Sequence, residues 1–207
     1  MKKLLFFIVC MCLSCLLSTD LKAAGYQGFE HIEMSEGKML IDYTQKDYDR
    51  YYKNVHKLKL QGWSVYVVHQ HVKATFVSET LFSYYNDGYT AIEYDYKLER
   101  KKSSKLGLSA TGSIAIKVNQ TIPKFKNNLE SSLKLSADYQ LNHDEKENHH
   151  LKFLVDPGTQ VNLYLYGEGR VTNGVAARYS LFIRVEKGGF EVFVVTTEYQ
   201  RLEKKKL

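Results

Sequence analysis

From Ser104 to Asn142 apolar and polar residues alternate over two long runs with one break between them. In the first, Leu106, Leu108, Ala110, Gly112, Ile114, Ile116 and Val118 occupy even positions. In the second, Leu129, Leu133, Leu135, Ala137, Tyr139 and Leu141 occupy odd positions, opposed by Glu130, Ser132, Lys134, Ser136, Asp138 and Gln140. Side chains alternate faces along a strand, so each run predicts a ribbon with one apolar and one polar side. Most strands in globular proteins are shorter than these runs. Strands that cross a bilayer, apolar towards lipid and polar towards a lumen, give one reason for the length. A long strand pair with its apolar face on a soluble core gives another. Ile122, Phe125, Leu129, Leu133 and Ala137 also recur at helical spacing, so residues 122–137 read as either strand or helix.

The rest of the chain predicts a mainly β fold with an α+β N-terminal part. Thr44 to Gln61 is the best helix, with Tyr48, Tyr51, Tyr52, Val55 and Leu58 on one face and Thr44 and Asp47 as an N-terminal cap. A short strand is expected near Met39–Asp42. From Trp63 the period becomes two, and Asp87-Gly88 marks a turn. Ile92, Tyr94, Tyr96 and Leu98 then alternate with charged residues. Further turns are expected at Asp156-Pro157-Gly158, Asn173-Gly174 and Lys187-Gly188-Gly189. These readings give elongated antiparallel sheets with a long amphipathic hairpin over 104–142. The organisation expected is a signal peptide at 1–24, a small mixed part at 25–87 and an all-β module at 88–207.

Lys2, Lys3 and the apolar stretch Leu4–Leu17, followed by Ala23-Ala24, predict an export signal. All three cysteines, Cys10, Cys12 and Cys15, lie inside it, so the remainder has no disulfide and no thiol nucleophile. Export without disulfides fits a bacterial secreted or envelope-associated protein. Leu13-Ser14-Cys15 partly matches a lipid-acylation site, although Cys12 stands where that signal takes an aliphatic residue. The full chain carries a formal charge of +6, and removing Lys2, Lys3, Lys22 and Asp20 with the leader leaves +4. This is no nucleic-acid signature, and no nucleic-acid partner is expected.

No motif names an enzyme. Ser, His and Asp occur without a nucleophile elbow, and Gly167-Glu168-Gly169 lacks the helix of a phosphate loop. His69-x-His71 would set two imidazoles on one strand face without a third ligand, and the His143–His150 stretch reads as a solvated loop. We therefore expect no catalytic residue, no metal and no cofactor. Tyr94, Tyr96, Tyr164, Tyr166 and Tyr179 read first as packing between sheets.

The element order resembles the pore-forming module of the aerolysin-like toxins, the epsilon-toxin and mosquitocidal-toxin group, over Gly88–Tyr199. Ser109-Ala110-Thr111-Gly112-Ser113-Ile114 and Val155-Asp156-Pro157-Gly158-Thr159-Gln160-Val161 resemble segments flanking that family's insertion hairpin. The resemblance implies secretion as a soluble monomer, homo-oligomerisation on a target membrane or cell-surface receptor, and refolding of the hairpin into a transmembrane barrel. On that reading the inserting face is Leu106, Leu108, Ile114, Ile116, Val118, Leu129, Leu133, Leu135, Tyr139 and Leu141, with Ile122, Pro123 and Phe125 at the tip. The alternative is an extracellular or envelope-associated binding protein with a static β-scaffold, and a secreted hydrolase stands third.

Overall fold

The computed structural model describes residues 29–55, 58–102, 106–119, 122–134 and 145–207. The fold is mainly β, a curled antiparallel sheet with few helices. Its elements are β1 (Phe29–Met34), α1 (Gln45–Tyr52), β2 (Gln61–Asn86), β3 (Ile92–Lys102), β4 (Leu106–Ala110), β5 (Ile116–Asn119), β6 (Ile122–Phe125), α2 (Leu129–Ser132), β7 (Glu145–Val155), β8 (Thr159–Ser180) and β9 (Ile183–Lys206). Five strands form the main sheet in the order β1-β2-β8-β9-β4, while β3–β7 and β5–β6 are separate antiparallel pairs.

The main sheet rests on β8, which alternates buried and more open residues from Thr159 to Arg170. It pairs along its length with β2 on one side and β9 on the other. Val161, Leu163, Leu165, Val171, Val175 and Ala177 are buried on its inner face. Phe29, Phe76 and Phe193 meet edge-on in one part of the core, with ring centroids 5.1 to 5.7 Å apart. Edge-to-face contact sets the positive ring edge against a negative ring face.

The N-terminal part is tied in by a buried polar network. The Leu40 N–H donates to Glu191 Oε2 at 2.7 Å, and Asn173 Nδ2 donates to the same oxygen at 2.8 Å. Tyr43 Oη donates to Asn173 Oδ1 at 2.7 Å. Burial raises the Tyr43 phenol well above its ordinary pKa, with Tyr51 and Glu191 adding to the shift. At the start of α1 the Thr44 hydroxyl accepts from the Asp47 N–H, while the Asp47 carboxylate accepts from the Thr44 N–H and hydroxyl. The hydrogen bonds from Thr44, then that from Lys38, lower the Asp47 pKa to about 2.

Several local expectations are corrected. The helix ends at Tyr52, not near Gln61, because a turn made by Asn54 and Val55 carries buried Val55 under β8, where its carbonyl accepts from Tyr179 Oη. Leu40–Asp42 is one 3-10 turn instead of a strand. Asn173-Gly174 lies inside β8, because Asn173 turns its amide into the buried network and a Cβ at Gly174 would sit 2.1 Å from the Tyr66 carbonyl oxygen. Lys187-Gly188-Gly189 likewise lies inside β9; there a Cβ on Gly188 would meet the Thr111 carbonyl at 2.0 Å. The turn between β8 and β9 is Leu181-Phe182, with φ of 49° and 64°. Left-handed backbone costs an L-residue roughly 1–2 kcal/mol, and neither residue is a turn former.

The turn expected at Asp87-Gly88 falls between β2 and β3. Asp156-Pro157-Gly158 forms the turn expected between β7 and β8.

Candidate functional site

The described parts of the amphipathic runs, 106–119 and 129–134, are folded back on the main sheet. The first is not one continuous strand: β4 ends at Ala110, residues 111–115 turn, and β5 begins at Ile116. The cause is a set of hydrogen bonds to β9. The Thr111 N–H donates to the Gly189 carbonyl at 3.0 Å, and the Gly189 N–H donates to Thr111 Oγ1 at 2.8 Å. Ser113 does the same with Lys187, donating from Oγ at 2.9 Å and accepting there at 2.9 Å. The Tyr48 hydroxyl of α1 lies 2.9 Å from Thr111 Oγ1.

The second run opens in the helical α2 instead of a strand arm, after a left-handed Asn128 with φ of 59°. Helical spacing wins locally because it turns Leu129 into the core beside Phe125. Residues 135–141 of this run lie outside the described residues.

β4 pairs with β9 from Leu106↔Val194 to Ala110↔Phe190. Beneath it Leu106, Leu108, Ile114, Phe125 and Leu129 are buried with Trp63, Ala176, Phe190 and Val192. Ile116 and Leu133 pack against the same cluster. Five residues expected on the inserting face or tip thus meet in one apolar cluster, with two more at its margin. Val118, Ile122 and Pro123 lie in β5 and β6. Leu135, Tyr139 and Leu141 fall outside the described residues. Sequence reasoning missed the partners that cover the segment, Trp63, Phe190 and Val192. Their signal is faint, since large apolar residues near β-strands are commonplace.

The docked segment also holds conflicts. Glu130 Oε2 is buried without a hydrogen-bond partner among the described residues. Such an acceptor costs about 1–3 kcal/mol. Lys134 sits at φ 54°, again in the left-handed region.

The β3–β7 pair is a two-stranded stem with unbroken register from Ile92↔Val155 to Lys102↔Glu145. Its apolar face rests on β2. Tyr94 lies 4.8 Å from Phe82 and 5.0 Å from Tyr84, and Phe153 stacks on Tyr94 at 5.7 Å. Asn86 Nδ2 closes the base by donating to the carbonyls of Thr90 and Val155. The stem leads out at Lys102 and returns at Glu145, so the whole amphipathic segment is the loop of one hairpin.

Tyr94 and Tyr96 are packing residues over Phe82, as expected, and Tyr179 is buried. Tyr166 lies on the outer face of β8, where it meets Tyr199 at 5.4 Å. His69 and His71 flank a bulge in β2, with His71 at φ 53°. His69 lies against Gly37, and its pKa is lowered by burial. Among the described residues no three His, Cys, Asp or Glu side chains lie close enough to hold a metal ion. Among them, too, no helix is long and apolar enough to cross a membrane.

No family model matches this chain, and no curated protein does. The crystal structure of the lamprey immune protein aligns over 86% of this chain at 9% identity, with a TM-score of 0.21. The chain spans 54% of that protein's length. An aerolysin-like protein from Bombina maxima aligns over 71% of this chain and 91% of its own, at 11% identity and a TM-score of 0.16. Scores this low establish neither a common fold nor a common activity.

Proposed function

We propose that this chain is an exported, non-enzymatic protein whose segment 103–144 leaves the sheet and enters a membrane as a β-hairpin, with several copies closing a pore. The register of the β3–β7 stem carries this reading. Continued past Lys102 and Glu145, the same register would set Leu106 opposite Leu141, Leu108 opposite Tyr139 and Ala110 opposite Ala137. It would go on to set Gly112 opposite Leu135, Ile114 opposite Leu133 and Val118 opposite Leu129. Opposed residues in an antiparallel pair share a face. The two apolar stripes therefore fall on one side of the extended hairpin, broken only where Ile116 meets Ser131. The other side would pair Ser109 with Asp138, Thr111 with Ser136, Ser113 with Lys134 and Lys117 with Glu130.

The register was set by the stem alone, and the arms obey it without any shift. A strand from Leu106 to Val118 is about 40 Å long at ~3.3 Å per residue. Tilted by about 40°, as barrel strands are, it rises about 30 Å, the thickness of the hydrocarbon core. Extension would also resolve the conflicts in the docked form, since Glu130 would gain Lys117 and the left-handed backbone at Lys134 would be released.

The burial of Leu106, Leu108, Ile114, Phe125 and Leu129 favours the second reading, a static scaffold for extracellular binding. Dye-loaded vesicles separate the two. The insertion reading expects leakage and detergent-resistant oligomers from the wild type, and neither from Ile114→Asp, which puts a charge on the lipid face. The static reading expects no leakage from either protein on any lipid composition or on host-cell membranes, and a plain loss of stability in Ile114→Asp.

A further inference from the structure

The turn between β8 and β9 has the wrong residues for its shape. Ser180 pairs with Ile183, so Leu181 and Phe182 are the two central residues, both at positive φ. Asn-Gly is at ease in a two-residue turn of this kind. Here two large apolar residues occupy it and point into solvent: Leu181 is 74% exposed, Phe182 57%, Ile183 67% and Val185 49%. Gln61 pairs with Ser180, which brings exposed Leu60 and Leu58 to the same end of the molecule.

Around this end the charge is positive. Arg178, Arg184 and Lys187 of the hairpin stand against Glu186, whose carboxylate pairs with Arg178 at 3.1 Å; Lys187 Nζ lies over the Tyr52 ring, and nearby Lys59 Nζ donates to the Trp63 carbonyl. The apolar group is a projecting hairpin end, not a groove. Apolar side chains on a projection, with cations behind them, match the boundary of an anionic bilayer, where hydrocarbon lies below and phosphates ring the surface.

Direction gives an independent sign. Along β3, Tyr94 meets Tyr84 and the next inward residue, Tyr96, meets Phe82 and donates to the Leu81 carbonyl at 3.4 Å. β3 therefore runs back along β2, in the sense of β8, and the stem points towards the same end as the Leu181-Phe182 turn.

We propose that the β8–β9 turn is a lipid-docking tip, in which Leu181, Phe182 and Ile183 enter the interface of an anionic phospholipid membrane and Arg184 contacts its headgroups. This site lies outside the inserting segment, and docking there requires no pore.

The test measures binding apart from leakage. Phe182→Trp places a fluorophore at the tip, and the native Trp63 is buried. With vesicles of phosphatidylcholine and phosphatidylglycerol, residue 182 should blue-shift and be quenched by brominated acyl chains, more strongly than with phosphatidylcholine alone. The double variant Leu181→Asn/Phe182→Gly should bind anionic vesicles about tenfold more weakly or worse, as expected when apolar anchors are removed. The same variant should melt at a higher temperature than the wild type, because it relieves the left-handed backbone. Unchanged emission on anionic vesicles would overturn the proposal, and so would wild-type binding by the double variant. Concentration-dependent dimers in sedimentation equilibrium, lost in the double variant while vesicle binding is kept, would also overturn it and assign the tip to a second copy of this chain. Binding without leakage would leave this proposal standing and count against the insertion reading.

Discussion

Strands β2, β8 and β9 and the segment 106–134 cover one another, yet they are held in different ways. β8 is hydrogen-bonded on both sides for its whole length, and its core face is buried from Val161 to Ala177. The buried network through Glu191 and Asn173 pins the N-terminal part to it. The segment is held by the five pairs of β4, a few bonds from Thr111 and Ser113, and one apolar cluster. It also carries an unpartnered buried acceptor, Glu130 Oε2, among the described residues. Local opening follows local stability, so the region with fewer ladder bonds and an unpartnered buried acceptor is expected to open first. The difference teaches that one chain can set a frame paired on both sides beside a segment held by one short strand and one apolar cluster.

Two substitutions break the comparison from opposite sides. Glu191→Ala strikes the frame. It removes the acceptor shared by the Leu40 N–H and Asn173 Nδ2, at about 1–3 kcal/mol for each buried donor left unpaired. Urea unfolding should show a loss of about 3 kcal/mol overall. Tyr48→Phe strikes the latch, deleting the hydroxyl that meets Thr111 while leaving the frame's own bonds in place. It should cost about 1 kcal/mol and raise the open fraction of the segment by about fivefold. Hydrogen exchange should then speed up at the amides of Thr111 and Ser113 and stay unchanged in the centre of β8. Equal acceleration in both places would erase the distinction between the regions.

Much of this architecture was legible in the residues, for reasons that also mark where legibility stops. The alternation over 106–118 picked out Leu106, Leu108, Ile114 and Ile116, which meet in one cluster, although Gly107 and Ser109 between them are buried too; Leu129 joins that cluster from a helical turn. Asp156-Pro157-Gly158 and the Thr44–Asp47 cap were readable, since their chemistry is local. What failed was set by distant contacts. Gly188 is small to admit the Thr111 carbonyl, not to turn the chain, and Asn173 serves a network that reaches back to Tyr43. The true turn, Leu181-Phe182, has none of the residues that mark a turn, so no local signal announces it. The break in the first run was invisible for a similar reason: alternation is the same in a docked strand and in an extended one.

The central claim is that the segment must leave the sheet to act, and a reversible lock tests it most directly. Leu106 and Val194 are direct partners across β4 and β9, and after Cys15 the sequence has no cysteine of its own. In Leu106→Cys/Val194→Cys, the oxidised protein should bind vesicles and release no dye, and reduction should restore release to the level of the wild type. Full dye release from the oxidised form, with the cross-link verified intact, would contradict the account.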